Sequence, residues 1–308
     1  MPTIDRPKNL RTFSELAPHA EANGYAIGAF SPRYPLMIPP VLRAAERARS
    51  PLLVQISQKD MSRCGVEVER FAEAFRDYLN ELAITVPVGL HLDHTHDEAL
   101  IERALEAGFT SVMIDASDYP LEENIRVTRR VADRAHARGA SVEGELGTIG
   151  ATSFSEAEER ELVAYTDPDQ VEEFVAGSDV DALAVSVGTV HGVGRAVTID
   201  IDRLAAIRER TSAHLVLHGG SGVDAAMMRR AIRLPGGGVS KVNLATDLEV
   251  AMLAALNSAR RVVDDEIRAL PDRDLRLAQD AVEAVVIEKI EAVLGSAGRA
   301  NGHPWEGR

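Results

Sequence analysis

Residues 86–117 read VPVGLHLDHTHDEALIERALEAGFTSVMIDAS. An apolar run at 86–92 precedes an amphipathic run at 97–107 and a second apolar run at 111–117. Asp97 is a helix start and Gly108 a helix stop. Strand, helix and strand in this order make a parallel βαβ unit. The alternation continues in both directions. Strand candidates lie at 26–31, 52–57, 86–92, 111–117, 141–146, 182–188, 214–218 and 239–244. Helical patterns fall between them at 37–49, 67–82, 97–107, 121–138, 168–176, 200–210 and 224–233. Asp167, followed by Pro168, and Asp200 open two of these, and Gly139 closes one. Eight units predict an α/β fold, a closed (β/α)8 TIM barrel, over an open doubly wound sheet. No G-x-G-x-x-G follows the first strand, which weakens a dinucleotide-binding alternative. Two further helices are expected at 247–268 and 275–295, with a break at Pro271. The reading is one domain over 1–300, with a loose polar tail at 301–308. The stretch 147–167 is the longest without a pattern, and loops of that length in compact domains are functional or mobile.

Composition narrows the function. Lys+Arg number 34 against 48 Asp+Glu, a net charge of −14. Such a chain is a poor partner for nucleic acid or an anionic membrane. A small anionic substrate stays compatible, since backbone N–H groups and single arginines bind phosphate on acidic proteins. The one cysteine, Cys64, allows no intrachain disulfide and no thiolate metal site, which fits a reducing cytoplasm. The start, MPTIDRPKNLRTF, has no apolar core of a signal peptide, and no apolar run is long enough to span a bilayer.

Histidines stand near the ends of three apolar runs: HLDHTH (91–96), LAVSVGTVHG (183–192) and LVLHGGSG (215–222). Three imidazoles at three strand ends, His94, His191 and His218, can converge and leave a fourth position open, the pattern of a catalytic Zn²⁺ site. Barrel enzymes carry their sites at the C-terminal ends of the strands. Asp93, Asp115, Glu145, Asn243 and Thr246 fall at those ends too. Strand parity leaves one assignment open. His91 and Asp93 point the same way in an ideal strand and His94 the other, so spacing alone allows His91, His94 or His96 as the ligand. HGGSG (218–222) and NLATD (243–247) each open a helix. Glycines admit an anion to the backbone N–H groups there, which makes these turns a phosphate site.

HLDH, SVMIDAS, VEGELG, AVSVGTVHG, LVLHGGSG and SKVNLATDL, in this order, resemble the class II, zinc-dependent ketose-bisphosphate aldolases, fructose- and tagatose-bisphosphate members above all. The resemblance spans roughly 10–300, to the closing GSAGRA. It implies that His94, His191 and His218 hold the catalytic Zn²⁺, and so selects His94. It implies that Asp93 is the acid/base, and that Asp115 and Glu145 hold a second divalent metal or support the zinc ligands. Gly192, Gly219, Gly220, Ser221, Asn243, Ala245 and Thr246 match the grip on the dihydroxyacetone phosphate half, with a monovalent cation, Na⁺ or K⁺, nearby. Arg276 is similar to an arginine that reaches a neighbouring subunit's substrate phosphate, which implies a homodimer or homotetramer. The implied reaction is reversible cleavage of a phosphorylated ketose such as fructose or tagatose bisphosphate. A Lewis acid would stabilise the enediolate charge while a carboxylate takes the hydroxyl proton.

Alternatives stand beside these roles. Asp93 could only orient a histidine, Asp115 and Glu145 could be interior structural acids, and Arg276 could be a surface residue. Three departures touch the substrate contacts. Ser31 stands in AFSPRYP where the family has Asn. GATSF (150–154) replaces an acidic loop stretch, with Glu156, Glu158 and Glu159 the nearest acids. Ala245 stands where many fructose-bisphosphate members carry Asp. These departures make a non-standard ketose phosphate, such as a deoxy-sugar acid or a sulfonated sugar, an alternative substrate. Competing readings are a Schiff-base lyase using Lys241, a metal-dependent hydrolase, and a non-catalytic sugar-phosphate binder.

Overall fold

The computed structural model describes residues 7–148, 164–189 and 198–301. Eight parallel strands close into a barrel in chain order. They are β1 (Ile27–Phe30), β2 (Leu52–Ser57), β3 (Val88–Thr95), β4 (Ser111–Ile114), β5 (Ser141–Leu146), β6 (Ala182–Val185), β7 (His214–Leu217) and β8 (Val239–Leu244). Around them run α1 (Phe13–Ala22), α2 (Ile38–Ala48), α3 (Gln58–Cys64), α4 (Val68–Glu81), α5 (Glu98–Glu106), α6 (Leu121–His136), α7 (Pro168–Ser178), α8 (Ile201–Arg208), α9 (Ala225–Ile232) and α10 (Thr246–Ala255). The chain ends in α11 (Asp264–Arg268), α12 (Asp272–Glu288) and a π-helical turn, Lys289–Leu294. The expected TIM barrel with extra C-terminal helices is the fold. No described helix is long and apolar enough to cross a membrane.

The caps follow the sequence signals. Asp97, Asp167 and Asp200 each accept a backbone N–H from the first turn of their helix. Gly108 and Gly139 take positive φ just beyond α5 and α6. Two helices escaped the pattern. α1 contains Pro18, which reads as a breaker, yet Thr12 and Glu15 form a reciprocal capping box that starts it. α3 has too few turns to show a period, and Ser57 caps it. The stretch 247–268 is two helices, not one. Asn257 turns left-handed after α10, and the following segment is tied sideways: Arg261 bonds Glu249 and the Val262 carbonyl accepts from Tyr34 Oη.

The interior divides by height. Near the strand starts it is apolar: Ile27, Ala29, Leu53, Met113, Ala182, Ala184 and Val216 form one buried cluster with Phe13, Leu16, Ala17 and Ala20 of α1. α1 thus lies across the bottom of the barrel. Phe13 N–H donates to Ser141 Oγ, and Glu21 pairs with His214 and Ser240 at the starts of β7 and β8. Towards the strand ends the interior turns polar, with buried Gln55, His91, Asp93, Glu143, Glu145, His218, Lys241 and Asn243. A larger apolar shell packs between the sheet and the outer helices.

Candidate active site

Strand β3 decides which histidine enters the site. Its register with β4 runs His91↔Ser111 and Leu92↔Val112, then jumps to Thr95↔Ile114, so β3 holds one extra residue. A bulge re-aims the side chains around it. His94 takes up the irregularity with φ 33°, a left-handed conformation that few non-glycine residues adopt. Asp93 and His94 therefore both reach the interior, which ideal alternation forbids.

Hydrogen bonding separates the three histidines left open by parity. Lys241 Nζ lies 3.2 Å from His91 Nε2, and an ammonium only donates, so Nε2 accepts. His91 Nδ1–H then donates to Ser111 Oγ at 2.7 Å. Both nitrogens of His91 are committed, and burial with the adjacent Lys241 charge holds its pKa well below the ordinary value. His96 is exposed, with Nδ1 at 2.7 Å from the Asp115 carbonyl. His94 Nδ1 lies 2.9 Å from Asp115 Oδ2, so it donates to that carboxylate and Nε2 carries the lone pair. Burial opposes charge on His94, but the Asp93, Asp115 and Glu145 carboxylates outweigh it and push its pKa up to about 10. A place that holds a proton this firmly is anionic, and a divalent ion competes for the same lone pair.

His218 completes the pair. It is fully buried, and its Nε2–H donates to Glu143 Oε1 at 2.7 Å, which makes Nδ1 its lone-pair nitrogen. The two rings meet edge to face with centroids 4.4 Å apart. One ligand atom from each of Asp93, His94 and His218 lies within 4.8 Å of the others, and the same holds for His94, Asp115 and Glu145. Two imidazoles with carboxylate-fixed tautomers fit a borderline-soft divalent ion such as Zn²⁺. Burial works against ionising Asp115, yet its hydrogen bond from His94 holds its pKa below the usual carboxylate range. His191 and Gly192 lie outside the described residues, as do Glu156, Glu158 and Glu159.

Beside the histidines, Gln55, Asp93, Gly219, Ser221, Asn243, Ala245 and Thr246 line a small cavity of about 40 Å³. Asn243 Nδ2 donates to Asp93 Oδ1 at 2.9 Å and Gln55 Nε2 to Oδ2 at 3.2 Å, so the carboxylate is held by both oxygens. Gly219 takes φ 66°, and a Cβ on Gly220 would lie 2.4 Å from Val242 Cγ1, so this turn hugs β8 only as glycine. Ser221 Oγ accepts from Asp247 N–H at 3.3 Å, which ties the turn after β7 to the start of α10. Ser31 is buried beside them, its N–H donating to the Leu244 carbonyl. Arg276 is exposed on α12 and does not line this cavity. The same helix reaches the loop after β1, where Gln279 bonds the Leu36 carbonyl.

Two interior residues were missed by reading strand ends alone, Gln55 and Glu143, and Lys241 was considered only as a Schiff-base lysine. Their signal is alternation. Glu143 shares a face with Glu145, Lys241 with Asn243, and Gln55 interrupts the apolar β2. Lys241 is no Schiff-base lysine as it stands, since its fully buried ammonium sits 2.8 Å from Glu143 Oε2.

Known proteins match this chain in sequence and in fold. The profile of the family "Fructose-bisphosphate aldolase class-II" matches residues 11–299. A fructose-bisphosphate aldolase of Geobacillus stearothermophilus is 35% identical over 293 residues, covering 95% of this chain and 99% of that one. The crystal structure of the YdjI aldolase from Escherichia coli K12 superposes with a TM-score of 0.79 at 32% identity, covering 95% of this chain and all of that one. A fructose-bisphosphate aldolase of Campylobacter jejuni superposes with a TM-score of 0.74 over 94% of this chain and 96% of that one. At 23% identity it speaks for the fold alone. With its motifs, barrel and near full-length matches in agreement, the chain belongs to the class-II fructose-bisphosphate aldolase family, which makes it an aldolase.

Proposed function

We propose that this aldolase cleaves a phosphorylated ketose, of the fructose or tagatose bisphosphate type, to dihydroxyacetone phosphate and an aldehyde. The family implies a divalent metal, and we take it to be Zn²⁺ held by His94, His218 and His191. When bound, the ion supplies Lewis acidity on the carbonyl side of the breaking bond. The single observation that carries the reading is the Asp93 carboxylate, gripped by Asn243 and Gln55 in the small cavity next to the histidine pair. A carboxylate fixed this way keeps lone pairs for a substrate hydroxyl and loses little freedom when it takes the proton. Ser221, Asn243, Ala245 and Thr246 would bind the ketose phosphate at the mouth of α10, and the glycine turn at Gly219 and Gly220 would let it approach the backbone closely. A monovalent cation beside that phosphate, a second divalent ion at Asp115 and Glu145, a homo-oligomer completed by Arg276, and a cytoplasmic setting belong to the same proposal. Glyceraldehyde phosphate is the default aldehyde half, and the departures at Ser31, 150–154 and Ala245 make a non-standard ketose phosphate the alternative, so the substrate panel should include acidic and sulfonated aldehydes.

The test is direct. Triose phosphate release from ketose bisphosphates should vanish after exhaustive chelation and return with added Zn²⁺. Activity that survives complete removal of metal overturns the metal assignment. Release of inorganic phosphate without a triose phosphate would instead mark a hydrolase.

A further inference from the structure

We propose that Glu143, anchored by Lys241, is the positioning residue that fixes which nitrogen His218 presents to the metal. The inference rests on the reading of His218 as a metal ligand. A line of contacts crosses the barrel below the site: His218 Nε2 to Glu143 Oε1 at 2.7 Å, Glu143 Oε2 to Lys241 Nζ at 2.8 Å, Lys241 Nζ to His91 Nε2 at 3.2 Å, and His91 Nδ1 to Ser111 Oγ at 2.7 Å. It joins the turn just after β7 to β5, β8, β3 and β4, and Glu143 and Lys241 are buried at its centre. This layer of a barrel is ordinarily filled by branched apolar side chains. An internal ion pair is a poor way to stabilise such a layer, because the desolvation of two charges offsets their attraction. What the pair supplies that Val or Leu cannot is an acceptor of fixed direction under His218. A carboxylate only accepts, so Nε2 must carry the proton and Nδ1 the lone pair. Lys241 holds the second oxygen and stops the carboxylate from swinging up towards the metal.

Zinc affinity, measured by competition with a chromophoric chelator, separates positioning from mere packing. Removing Glu143 alone strands a buried ammonium and endangers folding, so both charges are removed together. Glu143→Leu/Lys241→Met should fold, with a urea midpoint near that of the wild type, yet bind Zn²⁺ about 10–100-fold more weakly. Glu143→Gln/Lys241→Met keeps an amide oxygen for His218, and its amide N–H₂ faces His91 Nε2, which lies 3.7 Å from Glu143 Oε2. That variant should recover affinity to within about threefold, because the acceptor is restored without the charge. Equal affinity in the leucine variant and the wild type overturns the proposal, and so does a glutamine variant as weak as the leucine one. If the leucine variant fails to fold, ¹⁵N-histidine spectra of the zinc-loaded wild type decide: an Nε2–H tautomer at His218 supports it and an Nδ1–H tautomer overturns it. A wild type that binds no stoichiometric divalent metal overturns the underlying metal assignment instead.

Discussion

At His94 the backbone accepts a positive φ that costs about 1–3 kcal/mol in a non-glycine residue. The return is that two neighbouring side chains, Asp93 and His94, enter one pocket from one strand. This is why spacing could not choose among His91, His94 and His96: parity assumes a regular strand, and a bulge is set by the pairing with β4, which one strand's residues do not encode. Asp93, His218, Glu145 and Asn243 were legible as polar residues at strand ends. Glu143 sits one alternation deeper, where a sequence reading expects packing, and Lys241 beside it stood out only as a Schiff-base candidate. Asp93 carries the first prediction. Asp93→Ala should lower kcat by about 10²–10⁴ with zinc content unchanged, the range for loss of a general acid/base. A variant that instead loses its zinc, assayed by metal analysis of the purified protein, would make Asp93 an orienting carboxylate for the metal site.

Element boundaries were legible where an Asp or Gly marked them, as at α5, α7 and α8. They were not legible where tertiary contacts decide, as between α10 and α11, or where a proline hides a helix, as in α1. α1 is the element whose role the sequence concealed most. Leu16 is fully buried against the apolar floor of the barrel. Leu16→Ala should cost about 2–5 kcal/mol by transfer and cavity formation. Thr12→Ala, which removes the capping hydroxyl, should cost about 1 kcal/mol. Urea unfolding reads both losses, and the kcat of the folded fraction should not change, because α1 lies at the opposite end from the reactive groups. A lowered kcat at full occupancy of the folded state would show that the floor is coupled to the site.

Across the whole molecule, folding ties acidic side chains to fixed partners. Burial opposes ionisation of Glu249, but Arg261 and Arg33 outweigh it and hold its pKa below the ordinary 4.5. Glu21 is lowered in the same way, its hydrogen bonds from His214 and Ser240 overcoming burial. A depressed folded pKa stabilises above the unfolded value and loses that stabilisation as pH falls through the folded one. The contribution of these carboxylates to the urea midpoint should therefore be lost as pH falls below about pH 4.5. Glu249→Gln should be less stable at neutral pH and show a shallower acid slope. An acid slope unchanged in that variant would assign the lability to other carboxylates.

The helix laid across the floor of the barrel has one more consequence. It lays Phe13, Leu16, Ala17 and Ala20, none more than 1% exposed, over the far end of a barrel that side chains already fill. Solvent is thereby shut out from beneath, and the buried charges of Glu143 and Lys241 keep a dry underside that a segment remote from the reacting groups provides.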